Sequence, residues 1–307
     1  MKHHHHHNHA AIKADKESSD TNLLISTLLN LIISLVEIIG GLISNSLALI
    51  SDALHNLGDT SALFIAYVAN LISKKDHNHK KTYGYKRIEI LAALFNAVIL
   101  VVIIVYIFIE AWHRLFDPKP VKGLVMFVVA FTGLIANLIS VLLLHKHSHR
   151  NINIRSAYLH LFGDTVSSVV VIISSVLIYF YEIFWIDPVV TFLLGLYLLK
   201  ATFNILKESF DILMQGTPSG LSLIAVKKEL ESLPEIDNIH HVHVWNMNDH
   251  DIHFECHIDL KKDLRISETE SVKDSISQIL HEKFGISHIT VQYEYNCCED
   301  KDIIHKR

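Results

Sequence analysis

The sequence predicts an all-α polytopic membrane domain of six spans, arranged as an inverted 3+3 pseudo-repeat, followed by a small α/β domain of order α-β-β-α-β. Three observations predict it. Half of the 307 residues are hydrophobic and only 19% are charged, and the apolar residues come in runs long enough to cross a bilayer. One of those runs is broken by a polar stretch that recurs about a hundred residues later. Beyond residue 208 the long runs give way to short alternating and amphipathic segments.

The polar stretch, residues 51–61, lies inside the apolar segment 47–72. A carboxylate at the centre of a span costs about 2.5 to 3.5 kcal/mol on insertion scales, so it needs a partner. His55 and Asp59 stand four apart and share one helix face, with Asp52 a turn earlier on the same stripe. Residues 156–165 can be laid on 51–60 without a gap, and Ser, Leu, His, Gly, Asp and Thr recur at the same places. With three spans per half the two copies run in opposite directions, which brings His55, Asp59, His160 and Asp164 to one level near the midplane. Two imidazoles and two carboxylates suit Zn2+ and tolerate neighbouring divalent metals. The plainer alternative, that each His-Asp pair only fixes helix packing, suits one isolated pair better than two matched ones.

In chain order, residues 1–20 form a polar tail with histidines at His3 to His7 and His9, which fits either an expression tag or a metal-collecting tail. The first span follows this tail with no small-residue cleavage site, so a removable signal peptide is not expected. Spans are expected at 22–42, 47–72, 88–113, 122–144, 155–181 and 186–206, which sets a membrane domain over 21–208. Lys74, Lys75, Lys80, Lys81, Lys86 and Arg87 crowd the second connection, and Lys146, Arg150 and Arg155 the fourth. The positive-inside rule therefore puts both termini in the cytoplasm. Those two connections also carry His77 and His79, and His145, His147 and His149. Such tracts suit metal delivery and solvated loops equally. Glu37 and Asn137 are candidates for a supporting or proton-carrying role, and Glu89 and Glu110 are expected near the interfaces.

The soluble domain is expected over 209–296, with helices at 221–233 and 267–284 and strands at 239–247, 252–260 and 289–295, and a C-terminal tail over 297–307. Strict period 2 turns Val242, Val244, Phe254, Cys256, Ile258, Val291, Tyr293 and Tyr295 toward the helices. The other face receives His241, His243, Trp245, His253, Glu255, His257, Asp259, Gln292 and Glu294. With Cys297 and Cys298 just beyond, this face is rich enough in donors for one or two metals, against the alternative of a plain polar surface. The adjacent cysteines suit a reduced compartment or a metal better than a structural disulfide. A net charge of −5 argues against a nucleic-acid partner.

These motifs resemble the cation diffusion facilitators, a family of divalent-metal/proton antiporters. The most specific pieces are residues 46–59, Tyr83 to Arg87 with Glu89 to Ala93, Tyr158 to Asp164, Asp187-Pro188 and His240 to Trp245. The resemblance implies a homodimer and a ferredoxin-like cytoplasmic domain similar to copper metallochaperones. It implies a transport site at His55, Asp59, His160 and Asp164, of the zinc-preferring type, and soluble-domain ligands at His243, His257 and Glu294, with a terminal pair at Cys297 and Cys298 in some relatives. The expected function is export of Zn2+, with Cd2+ or Co2+ as further cargo, in exchange for H+ across a bacterial inner membrane, with no enzymatic activity. A metal-regulated channel would need a continuous polar stripe, and a non-transporting zinc sensor would not need matched membrane pairs.

Overall fold

The computed structural model describes residues 9–75, 78–148, 152–248, 251–296 and 302–303, without the side chains of residues 9–24, 63, 66, 144–148, 152–157 and 159–160. Six long helices come first: α1 His9–Ser44, α2 Leu47–Ser73, α3 Ile88–Phe116, α4 Gly123–Ser148, α5 Ile152–Tyr181 and α6 Ile186–Leu213. Among the described residues, five of them (all but α2) are long and apolar enough to cross a membrane. The polar stretch of 51–61 lies within α2. Each expected span is a helix; α1 starts well before the expected 22, and α6 continues past 206 to Leu213.

The helices bury many of their polar side chains and expose many of their large apolar ones. Glu37, Asp52, Asn56, Asn137, Asp164 and Asp187 are all buried, whereas Phe95, Val102, Tyr106 and Leu142 are exposed. That inversion is what a hydrocarbon solvent selects: apolar side chains meet lipid, and ionisable ones retreat among the helices. Small residues permit close approach. A Cβ on Gly40 would stand 2.6 Å from the Val129 side chain, and one on Gly133 would collide with Glu37 Oε1.

The α1–α2 connection is tightly held. Asn45 ends α1 in the left-handed region at φ 59, a position Asn tolerates. Arg114 of α3 donates to its backbone carbonyl at 2.7 Å and to its Oδ1 at 3.0 Å. Asp187 of α6 then caps α2: its carboxylate accepts from Ser46 Oγ at 2.6 Å, Leu47 N at 2.8 Å and Ala48 N at 3.3 Å. A buried anion at a helix N-terminus satisfies otherwise orphaned amides and complements the helix dipole.

Five elements follow: α7 Leu223–Leu230, β1 Ile236–Asn246, β2 Ile252–Leu260, α8 Thr269–Phe284 and β3 His288–Glu294, the order expected. The sheet runs β1-β2-β3, with β1 antiparallel and β3 parallel to β2. Val226, Leu230, Ile239, Phe254, Ile258, Ile276 and Leu280 join α7 and α8 to one sheet face. Ser222 caps α7 by accepting from Ala225 N at 3.3 Å, and Gly285 ends α8 at φ 69. Cys256 lies in this core as expected, where burial raises its thiol pKa far above the ordinary range. Tyr295 does not join it: β3 stops at Glu294, the alternation ends there, and the ring is exposed.

The chain divides into two compact units. One holds the chain up to Ile65 with Asn96–Asn204; the other holds Ala66–Phe95 with Ile205–Arg307, and so contains the α2–α3 connection as well as the α/β domain.

Candidate metal centre

Within the helical unit the site is built on α2 and α5, whose contacts show them antiparallel. His55 of α2 meets Asp164 of α5, and three residues back along α2 Asp52 meets Ser167, three residues forward along α5. His55 stands between two carboxylates: Nδ1 is 3.6 Å from Asp59 Oδ2, and Nε2 is 3.3 Å from Asp164 Oδ1. Zn–N and Zn–O bonds of about 2.0 to 2.2 Å place neighbouring donors of a tetrahedron about 3.3 Å apart, so the His55–Asp164 separation fits one shared ion. Tyr197 of α6 meets the imidazole edge-on, with ring centroids 5.9 Å apart. Exposure grades across the site, from 1% at Asp164 through 13% at His55 to 39% at Asp59, which marks the Asp59 side as the open one.

Three of the four expected membrane residues thus meet at the His55 ring, with Asp59 and Asp164 at its two different nitrogens. The fourth, His160, lies on α5 one turn before Asp164, and its side chain is outside the described ones.

Behind these donors is a buried polar layer. Ser167 Oγ donates to Asp52 Oδ1 at 2.5 Å, Asn56 Nδ2 to Glu37 Oε2 at 3.2 Å, and Asn137 Nδ2 to Ser168 Oγ at 3.5 Å. The second oxygens, Glu37 Oε1 and Asp52 Oδ2, are buried without a hydrogen-bond partner among the described residues. Sequence placed Asp52 on the right stripe, but its partner Ser167 carried no signal.

In the α/β domain the donors gather on the sheet face away from the helices, in a set that differs from the expected one. His240, His257 and Glu294 form the one group of three metal-type donors within 4.8 Å of one another among the described residues. His257 Nδ1 is 2.8 Å from Glu294 Oε1, and His240 Nε2 is 3.2 Å from Glu294 Oε2. His243 is exposed and pairs with Glu255, further along the sheet. The reason is a β-bulge. His240 opposes His257 and His243 opposes Glu255, so β1 spends three steps where β2 spends two. The extra residue is His241, at φ 52, whose ring stacks on His257 at 4.6 Å. Strict alternation had put His241 and His243 on the polar face and His240 off it; one inserted residue moves His240 there instead. The C-terminal segment covers this point, with His241 N and Val242 N donating to Asp302 O and Ile303 O at 3.4 and 2.9 Å.

A second polar cluster stands further along the same sheet. His253 is buried between Trp245, His288 and Tyr83, with ring centroids at 5.5, 4.5 and 5.3 Å. Burial first, and then the charges of His288 and Lys86, hold its pKa below the ordinary imidazole value. Lys86 donates to Asp251 at 2.7 Å and holds that carboxyl below its usual range. Of the remaining candidates, His79 is exposed in a turn. His77, His149, Cys297 and Cys298 lie outside the described residues, as do the side chains of His145 and His147.

Membrane-length helices around buried His and Asp donors, with a second donor set on an appended sheet, define a class: a membrane carrier of metal cations. Comparison with known proteins agrees. Residues 23–214 match the cation efflux transmembrane domain, and residues 218–296 the cytoplasmic domain of cation efflux proteins. The chain belongs to the cation diffusion facilitator family of metal-cation efflux transporters, which are not enzymes. It is 38% identical over 268 residues to the metal cation efflux system protein CzcD of Cupriavidus metallidurans, covering 87% of this chain and 84% of that one. It is 37% identical over 270 residues to the zinc transporter ZitB of Escherichia coli, with 87% and 85% covered. It is also 37% identical over 274 residues to the cadmium, cobalt and zinc/H+-K+ antiporter of Bacillus subtilis, with 89% and 88% covered.

Proposed function

We propose that this transporter exports Zn2+ from the cytoplasm in exchange for H+, through a tetrahedral site of His55, Asp59, His160 and Asp164. The observation that carries the reading is the meeting of His55 Nε2 and Asp164 Oδ1 at 3.3 Å across antiparallel α2 and α5, with Asp59 at the other ring nitrogen of His55. The chemistry of those donors supplies the coupling. Imidazole must be neutral and carboxylate ionised to bind metal, so binding releases protons and protonation releases metal. His, with an unperturbed pKa of about 6.5, titrates in the range a proton gradient spans. Moving a 2+ ion against the membrane field costs about 2.3 kcal/mol per net charge per 100 mV, which proton return offsets. Glu37 and Asp52, each with an unpartnered buried oxygen, are the proposed proton carriers beside the site.

On this reading the chain has six spans over residues 21–208, both termini in the cytoplasm and a place in a bacterial inner membrane as a homodimer. His240, His257 and Glu294, with Cys297 and Cys298 as further donors, hold a regulatory zinc in the soluble domain over 209–296. The histidines of the two basic connections collect cytoplasmic metal. Names of relatives set the alternatives for cargo and counter-ion: cadmium and cobalt beside zinc, and K+ beside H+. The test is zinc uptake into inverted membrane vesicles, with and without an imposed pH gradient, in K+-containing and K+-free buffer. Uptake that follows the pH gradient in both buffers supports the proposal. Uptake indifferent to pH sinks proton exchange, and uptake that needs K+ assigns K+ a share of the coupling.

A further inference from the structure

Beside the first turn of α3, within the unit that holds the α/β domain, lies a cavity of about 530 Å3 that metal transport does not use. That volume is in the range of small-ligand sites. Its wall includes Lys81, Tyr83, Tyr85, Lys86, Arg87 and Leu91. Three cations therefore face one space. Lys86 is neutralised by Asp251 at 2.7 Å, while the Lys81 ammonium lies over the Tyr85 ring at 4.1 Å. Arg87 Nε is buried and has no hydrogen-bond partner among the described residues. A buried guanidinium N–H without an acceptor is costly, and an anion held in the cavity would satisfy it.

Part of the same wall is apolar. Ile88 and Leu91 open α3, a helix of membrane-spanning length, and Leu91 and Phe95 are exposed on its outer side at 48% and 65%. Cations and phenols above the first exposed apolar turns of a membrane helix match one chemistry: a phosphodiester headgroup with acyl chains below it. The amides of the α3 N-terminus add a fixed positive end to the same place. Basic pockets at the ends of membrane helices bind anionic headgroups in this way, with each cation near the surface worth about a fivefold change in affinity.

We propose that this cavity is a binding site for an anionic glycerophospholipid, whose phosphate is held by Lys81 and Arg87 and whose acyl chains lie along Leu91 and Phe95. The site joins the α2–α3 connection to the sheet end through Trp245, so an occupied site ties the α/β domain to the membrane surface.

The experiment uses the full-length chain in neutral detergent, titrated separately with phosphatidylglycerol, phosphatidylcholine and inorganic phosphate. Thermal unfolding is followed together with fluorescence in a chain carrying Trp112→Phe and Trp185→Phe, so that Trp245, which lines the cavity, is the one tryptophan left. Phosphatidylglycerol should raise Tm and change the fluorescence with saturation, and the other two additives should not. Lys81→Gln and Arg87→Gln should each raise the half-saturating lipid concentration about fivefold, while Lys119→Gln, in the connection that follows α3, should leave it unchanged. An equal response to phosphatidylcholine, or to inorganic phosphate alone, overturns the proposal; so does an unchanged titration in the variants. If Arg87→Gln does not fold, the exposed Lys81 decides the matter by itself. No metal enters the measurement, so its outcome is independent of the transport proposal.

Discussion

His55 on α2 and Asp164 on α5 meet inside the bundle with 3.3 Å between Nε2 and Oδ1, and the carboxylate is almost wholly out of solvent. A buried carboxylate facing an imidazole can hold a proton or a cation between them, and the proposed exchange rests on that choice. Asp164→Ala and Asp59→Ala should each lower zinc uptake in vesicles by at least about a hundredfold, since even indirect support of a metal ligand is worth 10- to 100-fold. Membrane insertion, read by protease protection, should be unchanged. Wild-type uptake by either variant would remove these residues from the transport path.

His55→Asp replaces a nitrogen donor by an oxygen donor at the same place. It should shift competition among cations away from Zn2+ and toward harder ions such as Mn2+. An unaltered competition profile in vesicles would show that His55 is not a ligand.

The bulge at His241 separates two assignments of the soluble site. In a background carrying Asp59→Ala and Asp164→Ala, zinc should still raise the Tm of the full chain. A ligand bound only by the folded form contributes about 2.7 kcal/mol at a hundredfold excess over its dissociation constant. His240→Ala or His257→Ala should remove most of that rise, and His243→Ala should retain most of it. The reverse order would mean that the register runs straight through.

Gly133 is where α4 passes the buried Glu37 carboxylate, and an added methyl group would collide with Oε1. Gly133→Ala should destabilise the helical unit by about 1 to 3 kcal/mol, the usual cost of overpacking. Calorimetry of the detergent-solubilised chain reads this directly; a neutral substitution would mean that Glu37 moves freely.

His253 gives the α/β domain a pH dependence of known sign. Its folded pKa lies below its unfolded value because burial disfavours the charged ring. The unfolded chain therefore binds the extra proton first, at about pH 6.5, and stability is complete above that pH and falls as pH drops toward the folded pKa. Melts between about pH 8 and pH 5 should show this loss, and His253→Phe should flatten it. A variant as acid-sensitive as the wild type would place the dependence elsewhere.

The sequence by itself determined the elements and named the candidate donors. Runs of span length and the period-2 alternation of β2 and β3 are local signals, and the helices and strands they predict form where they were expected. The burial of Cys256 and the helix end at Gly285 were legible for the same reason: each follows from the residue and its immediate neighbours. Tertiary structure alone decided which distant groups meet. Nothing in the neighbourhood of Asp187 announces that it caps α2, or in that of Ser167 that it donates to Asp52. The donors that cluster on the sheet include His240 rather than the expected His243, because alternation assumes that both strands advance equally. Whether β1 spends an extra residue at His241 depends on a left-handed backbone angle and on the cross-strand contacts that stabilise it, and neither has a periodic signature.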